Sequence, residues 1–257
     1  MARASDRLRP AFSGRRRTAL GATVAGGVAS GLAAAPERIG RVARGRFPTV
    51  AVTGMTGVGK TELVNRLARR TSDPRAAEVG SATLERRTRR GRRLRGFRFR
   101  VVPGDNAATR LAALDEVFHD DPVDGVIHVV AHGHATPRRV AGTTGRAGAT
   151  RDQQLAAELE DWTITAHRIA SLAVRQDRPI WLVIAVTKTD LYADDLDAAL
   201  TYYSPGSGSP FGDRVDELRS LAGGAKLSVD VLPVSAEPSS VMIDGLSARM
   251  AQLAGHS

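Results

Sequence analysis

Eight consecutive residues, Gly54-Met55-Thr56-Gly57-Val58-Gly59-Lys60-Thr61, have the spacing G-x-x-x-x-G-K-[ST]. The chemistry that needs this pattern is polyphosphate binding. The glycines let the backbone curl around an anion, so that N–H groups and the start of the following helix face it. Lys60 is placed to reach β- and γ-phosphate oxygens, and the Thr61 hydroxyl is suited to a phosphate-bound Mg2+. The plainer reading is a glycine-rich turn before a helix. It is set aside because the full motif stands between an apolar stretch and a helical one, the context this chemistry requires.

Two later segments share a position. Thr187-Lys188-Thr189-Asp190 closes the strongest apolar run, residues 179–186, and Val234-Ser235-Ala236 closes the last one, residues 227–234. In an open α/β sheet the ligand crevice lies outside the carboxyl ends of the strands, so both segments are placed to meet the ligand of the phosphate loop. Four residues alone are weak evidence, and an ordinary polar turn is the alternative for 187–190. Their order after the phosphate loop, at strand ends, strengthens them.

With these segments in this order, residues 47–253 resemble the TRAFAC class of P-loop GTPases, of the Era-like or bacterial small-GTPase-like kind. The resemblance implies GTP and GDP as ligands and Mg2+ as the metal. It implies that Asp190 accepts hydrogen bonds from the guanine ring N–H and exocyclic amine, a pair that adenine cannot make. The stem of Lys188 would lie over the base. Ser235 and Ala236 would form the second base loop, with the Ala236 N–H meeting the guanine carbonyl oxygen.

The sequence departs from the family pattern on the metal and water side. The usual segment is D-x-x-G, often with Gln after the glycine; here it is Val101-Val102-Pro103-Gly104-Asp105. Bacterial polarity GTPases of the gliding-motility type look similar in having V-P-G without the Asp. Gly104 can still offer its N–H to a γ-phosphate, while Asp105 stands where the water-positioning Gln would be. Mg2+ would rest on Thr61, phosphates, waters and Thr83, the candidate γ-phosphate-sensing threonine; Thr88 is a poorer one because it belongs to a strand. A short anionic side chain beside a γ-phosphate implies slow turnover, with Lys60, Gly104 and Asp105 as the catalytic set and a partner-supplied residue as the accelerator. Arg110 is read as a solvated helix charge, with a cis arginine as the alternative. A nucleotide-dependent binding module with little hydrolysis, and a P-loop ATPase or small-molecule kinase, stay open as alternatives; Asp190 argues against the last.

The elements that must hold these residues are legible from periodicity. Strands are expected over 48–53, 125–131, 179–186 and 227–234, and helices over 60–70, 107–118, 151–175, 194–203, 213–222 and 239–253. Residues 84–102 read as a β-hairpin turning near Gly91, with Phe97, Phe99 and Val101 alternating toward the core. Strands alternating with helices imply an α/β fold of three layers, a mostly parallel sheet with helices on both faces and one antiparallel hairpin. Residues 47–257 would form this nucleotide-binding domain, and residues 1–46 a basic, Ala/Gly-rich tail.

Charge is unevenly distributed. Residues 1–100 hold 24 Lys+Arg against 6 Asp+Glu, while the remaining residues are net acidic. Such asymmetry points to an anionic partner for the N-terminal part. Residues 86–100 contain nine arginines and no acid. They read either as a solvated edge whose charges block aggregation or as a docking surface for a protein effector or GTPase-activating partner. Anionic membrane contact is the expectation for residues 1–46. Nucleic acid is a lesser option without sequence specificity, since Phe97 and Phe99 are expected in the core. The uncharged stretch 18–35 has three readings: a flexible tail, a weak membrane segment, or a cleaved export signal. The first two fit a cytoplasmic protein. Of 37 basic residues only Lys60, Lys188 and Lys226 are lysines, and two of them fall in the motifs above. No cysteine is present, which excludes disulfides and thiolate metal sites. His128, His132 and His134 have no carboxylate near in sequence, so a metal centre there is not expected, although His132 is placed to line the nucleotide crevice.

Overall fold

The computed structural model describes residues 47–68, 85–90, 96–104, 107–136, 149–235 and 241–255. Thr83, Asp105, Ala236, the hairpin turn near Gly91 and the whole of 1–46 therefore lie outside the described residues.

Six strands form one sheet: β1 (Thr49–Thr53), β2 (Glu85–Arg90), β3 (Gly96–Val101), β4 (Gly125–Val130), β5 (Ile180–Thr187) and β6 (Leu227–Val234). Their spatial order is β2-β3-β1-β4-β5-β6. All neighbours run parallel except β2, which pairs antiparallel with β3. Parallel strands covered on both faces read as continuous apolar runs, and β5, I-W-L-V-I-A-V-T, is buried along its whole length between β4 and β6.

Helices cover the two faces separately. One core cluster joins Ala51, Val126, Val130, Leu182 and Ile184 to α2 (Ala107–Asp115), α3 (Arg151–Arg175), α4 (Leu196–Tyr203) and α5 (Pro210–Leu221). The other joins Val50, Val52, Phe97, Phe99, Ile127 and Val183 to α1 (Lys60–Leu67) and α6 (Val241–Leu253). The period-2 alternation of β1 and β4 thus decides which residues meet which helices.

Boundaries follow capping chemistry. Helix α3 spans the expected residues because Thr150 and Gln153 form a reciprocal capping box at its start. Helix α5 starts three residues before the expected 213. There Ser209 caps it by accepting from the Gly212 N–H at 2.8 Å, and Pro210 occupies the first turn, a signal that apolar periodicity does not carry. Helix α2 is prolonged by a π-helical turn, Glu116–Asp120.

That turn is where Arg100 goes. Arg100 is 1% exposed. It places Nη2 2.7 Å from Glu116 Oε1, and its Nη1 donates to the Asp121 carbonyl at 2.8 Å and lies 3.0 Å from Asp121 Oδ2. This corrects the view of 86–100 as one uniform charged surface. Alternation along β3 turns Phe97, Phe99 and Val101 to the α1 side and Arg100 to the α2 side, where it is a buried tie.

Gly125 opens β4 directly beside Trp181 of β5. A Cβ there would lie 2.0 Å from the buried indole, so only glycine lets the ring lie across the neighbouring strand. Gly125→Ala should therefore lower the urea midpoint, costing about 1–3 kcal/mol of stability.

Candidate functional site

The phosphate loop is built on the apolar end of β1. After Thr53 the chain turns through Gly54, Gly57 and Gly59 at φ 126°, 82° and 95°. Two of these turns also have no room for a side chain. A Cβ on Gly54 would lie 2.3 Å from the Val129 carbonyl oxygen, and one on Gly57 would lie 2.1 Å from that of Thr136. Gly59 faces open space and caps α1 without a side chain, so the N–H groups of the first turn, with Thr61 in it, point outward. Lys60 is buried, and its Nζ donates to the carbonyls of Gly54 at 2.6 Å and Met55 at 2.9 Å. Met55, Thr56 and Thr61 are half-buried, and Val58 is packed inside.

Gly104 comes directly over this loop. A Cβ on it would lie 2.7 Å from both the backbone nitrogen and Oγ1 of Thr56, and 2.9 Å from Lys60 Nζ. The turn after β3 is thereby seated on the phosphate loop, as Pro103-Gly104 predicts. Val101, standing where the family carries Asp, is 1% exposed within the apolar core and offers no ligand.

The segment after β5 meets the loop from the other side. The Thr187 hydroxyl lies 2.7 Å from the Val58 carbonyl and 2.9 Å from that of Val130, sharing one proton between the phosphate loop and β4. Tyr192 donates its hydroxyl to the Thr187 carbonyl at 2.5 Å. Lys188 adopts φ 59° and donates Nζ to the His134 carbonyl at 2.7 Å and to Thr136 Oγ1 at 2.5 Å. Burial pulls its pKa down, opposed by the charges of Asp190 and Glu158. Asp190 is exposed in a short 3-10 turn. Ser235 is buried just past Val234, which pairs with Thr187 in register.

Four sequence-predicted groups, 54–61, Gly104, 187–190 and Ser235, thus lie at the carboxyl ends of the parallel strands β1, β3, β5 and β6. Thr83, Asp105 and Ala236 are outside the described residues. Thr88 is in β2, as expected of a strand residue.

Two expectations need correction. Arg110 is not a solvated helix charge. Its Nη2 lies 2.6 Å from Asp161 Oδ1, with the two side chains 14% and 4% exposed. Neither Asp161 carboxylate oxygen accepts a directed hydrogen bond among the described residues, so the tie between α2 and α3 is a charge contact together with a long bond from Arg110 Nη2 to the Asp161 carbonyl at 3.4 Å. Burial pushes the Asp161 carboxyl upward, opposed by Arg110 and Lys60. His132 does not line the crevice either: it is buried against Tyr192, Tyr202 and Tyr203, with ring centroids 5.3–5.7 Å away. No cluster of three metal-ligating side chains occurs among the described residues.

Several residues at the site carry no signature in the sequence. Thr136 reaches both halves, because its N–H donates to the Gly57 carbonyl at 3.0 Å while its hydroxyl receives Lys188. Glu158, in the middle of α3, holds the same loop from behind. The one clue in sequence is Gly133 between two histidines immediately after a strand.

A phosphate loop on the first parallel strand and a T-K-x-D segment on the fifth strand of such a sheet define a P-loop GTP-binding domain. The sequence profile of the family described as 50S ribosome-binding GTPase matches residues 49–185, and the chain belongs to that family. Its members are GTPases, and GTP binding and hydrolysis are the activity of this class. Among solved structures, a GTP-binding protein of the hyperthermophilic archaeon Sulfolobus solfataricus, in complex with GDP, is similar at 15% identity and a TM-score of 0.45. The match covers 85% of this chain and 55% of that one. A single-residue variant of S. thermophilus NFeoB, bound to GDP·AlF4−, matches at 15% identity and a TM-score of 0.46, over 82% and 65%. The signal recognition particle receptor SRb of Chaetomium thermophilum, bound to GDP, matches at 13% identity and a TM-score of 0.48, over 80% and 97%. The chain thus spans about half the length of the Sulfolobus protein. No curated protein matches the sequence.

Two measurements follow from this geometry. Thr187→Val removes the donor shared by two buried carbonyls; it should cost about 1–3 kcal/mol in chemical denaturation and weaken GDP binding in the same protein. His128, whose Nδ1 lies 3.0 Å from Thr53 Oγ1, is lowered to a pKa of about 3 by burial first, then by Arg110 and Lys60. The unfolded chain therefore takes up a proton near pH 6.5 that the folded one refuses. The His128 share of stability should be at its full value above that pH and fall by about 1.4 kcal/mol per unit as pH drops toward 3, with His132, lowered to about 4 chiefly by burial, adding its own fall over the upper part of that range. His128→Gln should flatten that part of the profile in denaturant titrations.

Proposed function

We propose that this domain is a slowly cycling switch GTPase that senses the γ-phosphate through Gly104 and Thr83. The observation that carries this reading is the seating of Gly104 on Thr56 and Lys60. A γ-phosphate entering beside Lys60 must contact or displace that turn, and α2 follows it directly. Lys60 exchanges its loop carbonyls for β- and γ-phosphate oxygens, and the outward N–H groups of 57–61 bind the rest of the chain of phosphates. Asp190 selects guanine from its exposed position, with the Lys188 stem over the base and the backbone at Ser235 and Ala236 closing the far side.

The uncapped first turn of α1, with the Thr61 hydroxyl in it, suits Mg2+, and Thr83 is the further ligand we assign. Bound there, the metal neutralises phosphate charge. Val101 contributes nothing to it, and the anionic Asp105 orients water less well than an amide would. Intrinsic hydrolysis is therefore slow, and a partner supplies the missing group. A second reading, a nucleotide-gated binding module with little turnover, is favoured by the same two residues; single-turnover hydrolysis with and without cell extract separates them.

The partner surface we assign is β2, a strand at one edge of the sheet whose sequence includes Arg86, Arg87, Arg89 and Arg90. It fits an acidic protein. Arg100 is excluded from it by its buried ion pairs. Residues 1–46 are assigned to contact with anionic membrane from the cytoplasm; no helix among the described residues is long and apolar enough to cross one.

Calorimetry with GTP, GDP and ATP tests the core of this. GTP and GDP should bind at least about a hundredfold more tightly than ATP, and equal binding of ATP and GTP overturns the guanine assignment. Asp190→Asn should move the preference toward xanthine nucleotides.

A further inference from the structure

Glu158 lies at the middle of α3, is 1% exposed, and belongs to none of the nucleotide-binding motifs. Its Oε1 accepts the N–H groups of Ala131 at 2.9 Å and Gly133 at 3.4 Å, and its Oε2 accepts the Tyr203 hydroxyl of α4 at 2.5 Å. Between the two amides stands His132 at φ 49°, followed by Gly133 at φ 78°. The left-handed turn at His132 brings the Ala131 and Gly133 N–H groups onto the same oxygen.

The loop held in this way, residues 131–136, bonds within itself, to α3 and to the nucleotide-site segments. The Ala131 carbonyl accepts from His134 N–H at 2.9 Å, and the His132 carbonyl accepts from Arg151 Nε at 3.4 Å. Lys188 donates to the His134 carbonyl and to Thr136 Oγ1, and the Thr136 N–H donates to the Gly57 carbonyl. The contact with Gly57 is tight enough that a Cβ there would lie 2.1 Å from the Thr136 carbonyl oxygen. One short loop therefore spans the phosphate loop and the base-recognition lysine, and the buried Glu158 joins it to both α3 and α4, alongside the Arg151 bond and the packing of His132 on the tyrosines of α4.

We propose that Glu158 is a positioning residue for nucleotide binding. By gathering the Ala131 and Gly133 amides and the Tyr203 hydroxyl, it holds residues 131–136 as a strut that fixes Gly57 and Lys188 at the separation a guanine nucleotide requires. This rests on the assignment of the site to guanine nucleotides. Removal of the carboxylate leaves Ala131 N–H and Gly133 N–H buried without an acceptor and frees the loop to relax. Gln at 158 retains an oxygen for the two amides, and Tyr203 can turn its hydroxyl to meet the new NH2 group.

The test is release of mant-GDP in the presence of Mg2+, on the full chain, followed by fluorescence well below each variant's own melting temperature. Glu158→Ala should release the nucleotide at least about tenfold faster than wild type, and Glu158→Gln within about threefold of it. Thr136→Ala, at an exposed side chain, should release about threefold faster with unchanged melting of the nucleotide-free protein. A residue with a purely structural role would lower melting and leave release from the folded protein unaltered, so a folded Glu158→Ala variant with the wild-type release rate overturns the proposal. If Glu158→Ala does not fold, Thr136→Ala and Tyr203→Phe decide: wild-type release in both overturns it. Failure of wild-type protein to bind mant-GDP instead overturns the nucleotide assignment, and this inference with it.

Discussion

A loop that presents its amide N–H groups outward to phosphate must turn carbonyls inward, and each of those carbonyls needs a donor. Much of this site can be understood as the answer to that constraint. Gly54 and Met55 carbonyls receive the Lys60 ammonium, Gly57 receives the Thr136 N–H, Val58 receives the Thr187 hydroxyl, and Gly59 receives the Leu63 N–H of α1. The donors come from four places in the chain: the loop's own lysine, the following helix, the segment after β4 and the end of β5. Phosphate binding and base recognition are thus joined by hydrogen bonds before any nucleotide is considered. Thr187 opens the base motif and also completes the phosphate loop.

The same constraint accounts for the interior charges. Segments that donate to the loop must themselves be held, and most of their anchors are polar groups with little access to water. Glu158 gathers the amides after β4, and Tyr192 fastens the carbonyl of Thr187. Arg110 and Asp161 tie α2 to α3 close enough for Arg110 and Lys60 to act on His128. Such charges are costly in an apolar core unless paired, and Arg100 meets that condition through Glu116 and Asp121. Several of them cluster around α2, the helix that comes after the turn at Gly104.

The departures from the family pattern fall on one side of the site. The phosphate loop, 187–190 and Ser235 come together at the carboxyl ends of the strands. Where the family carries its metal-side Asp, Val101 is packed into the apolar core; Asp105 lies outside the described residues. In the reading proposed above, such a site retains nucleotide better than it cleaves it, and a partner sets the lifetime of the switch.

Local chemistry was legible in the sequence wherever function resides in a contiguous stretch. G-x-x-x-x-G-K-T specified its own backbone, because only glycine tolerates those φ values and that crowding. The apolar runs specified the parallel sheet, since strands buried on both faces have no other composition open to them. Alternation in 97–101 put Phe97 and Phe99 in the core. Only the tertiary structure decided the fate of the long polar side chains. Arg100 and Arg110 look like surface charges in a sequence full of arginine, and their burial depends on Glu116, Asp121 and Asp161, which lie 16 to 51 residues away. His132 likewise faces tyrosines contributed by α4 and the turn before it. Glu158 and Thr136 belong to no motif because their contacts close over large loops, and a hydrogen bond between distant segments leaves no periodicity behind. The motif around Lys60 announced what is bound; the folded chain decided which residues hold that motif in place.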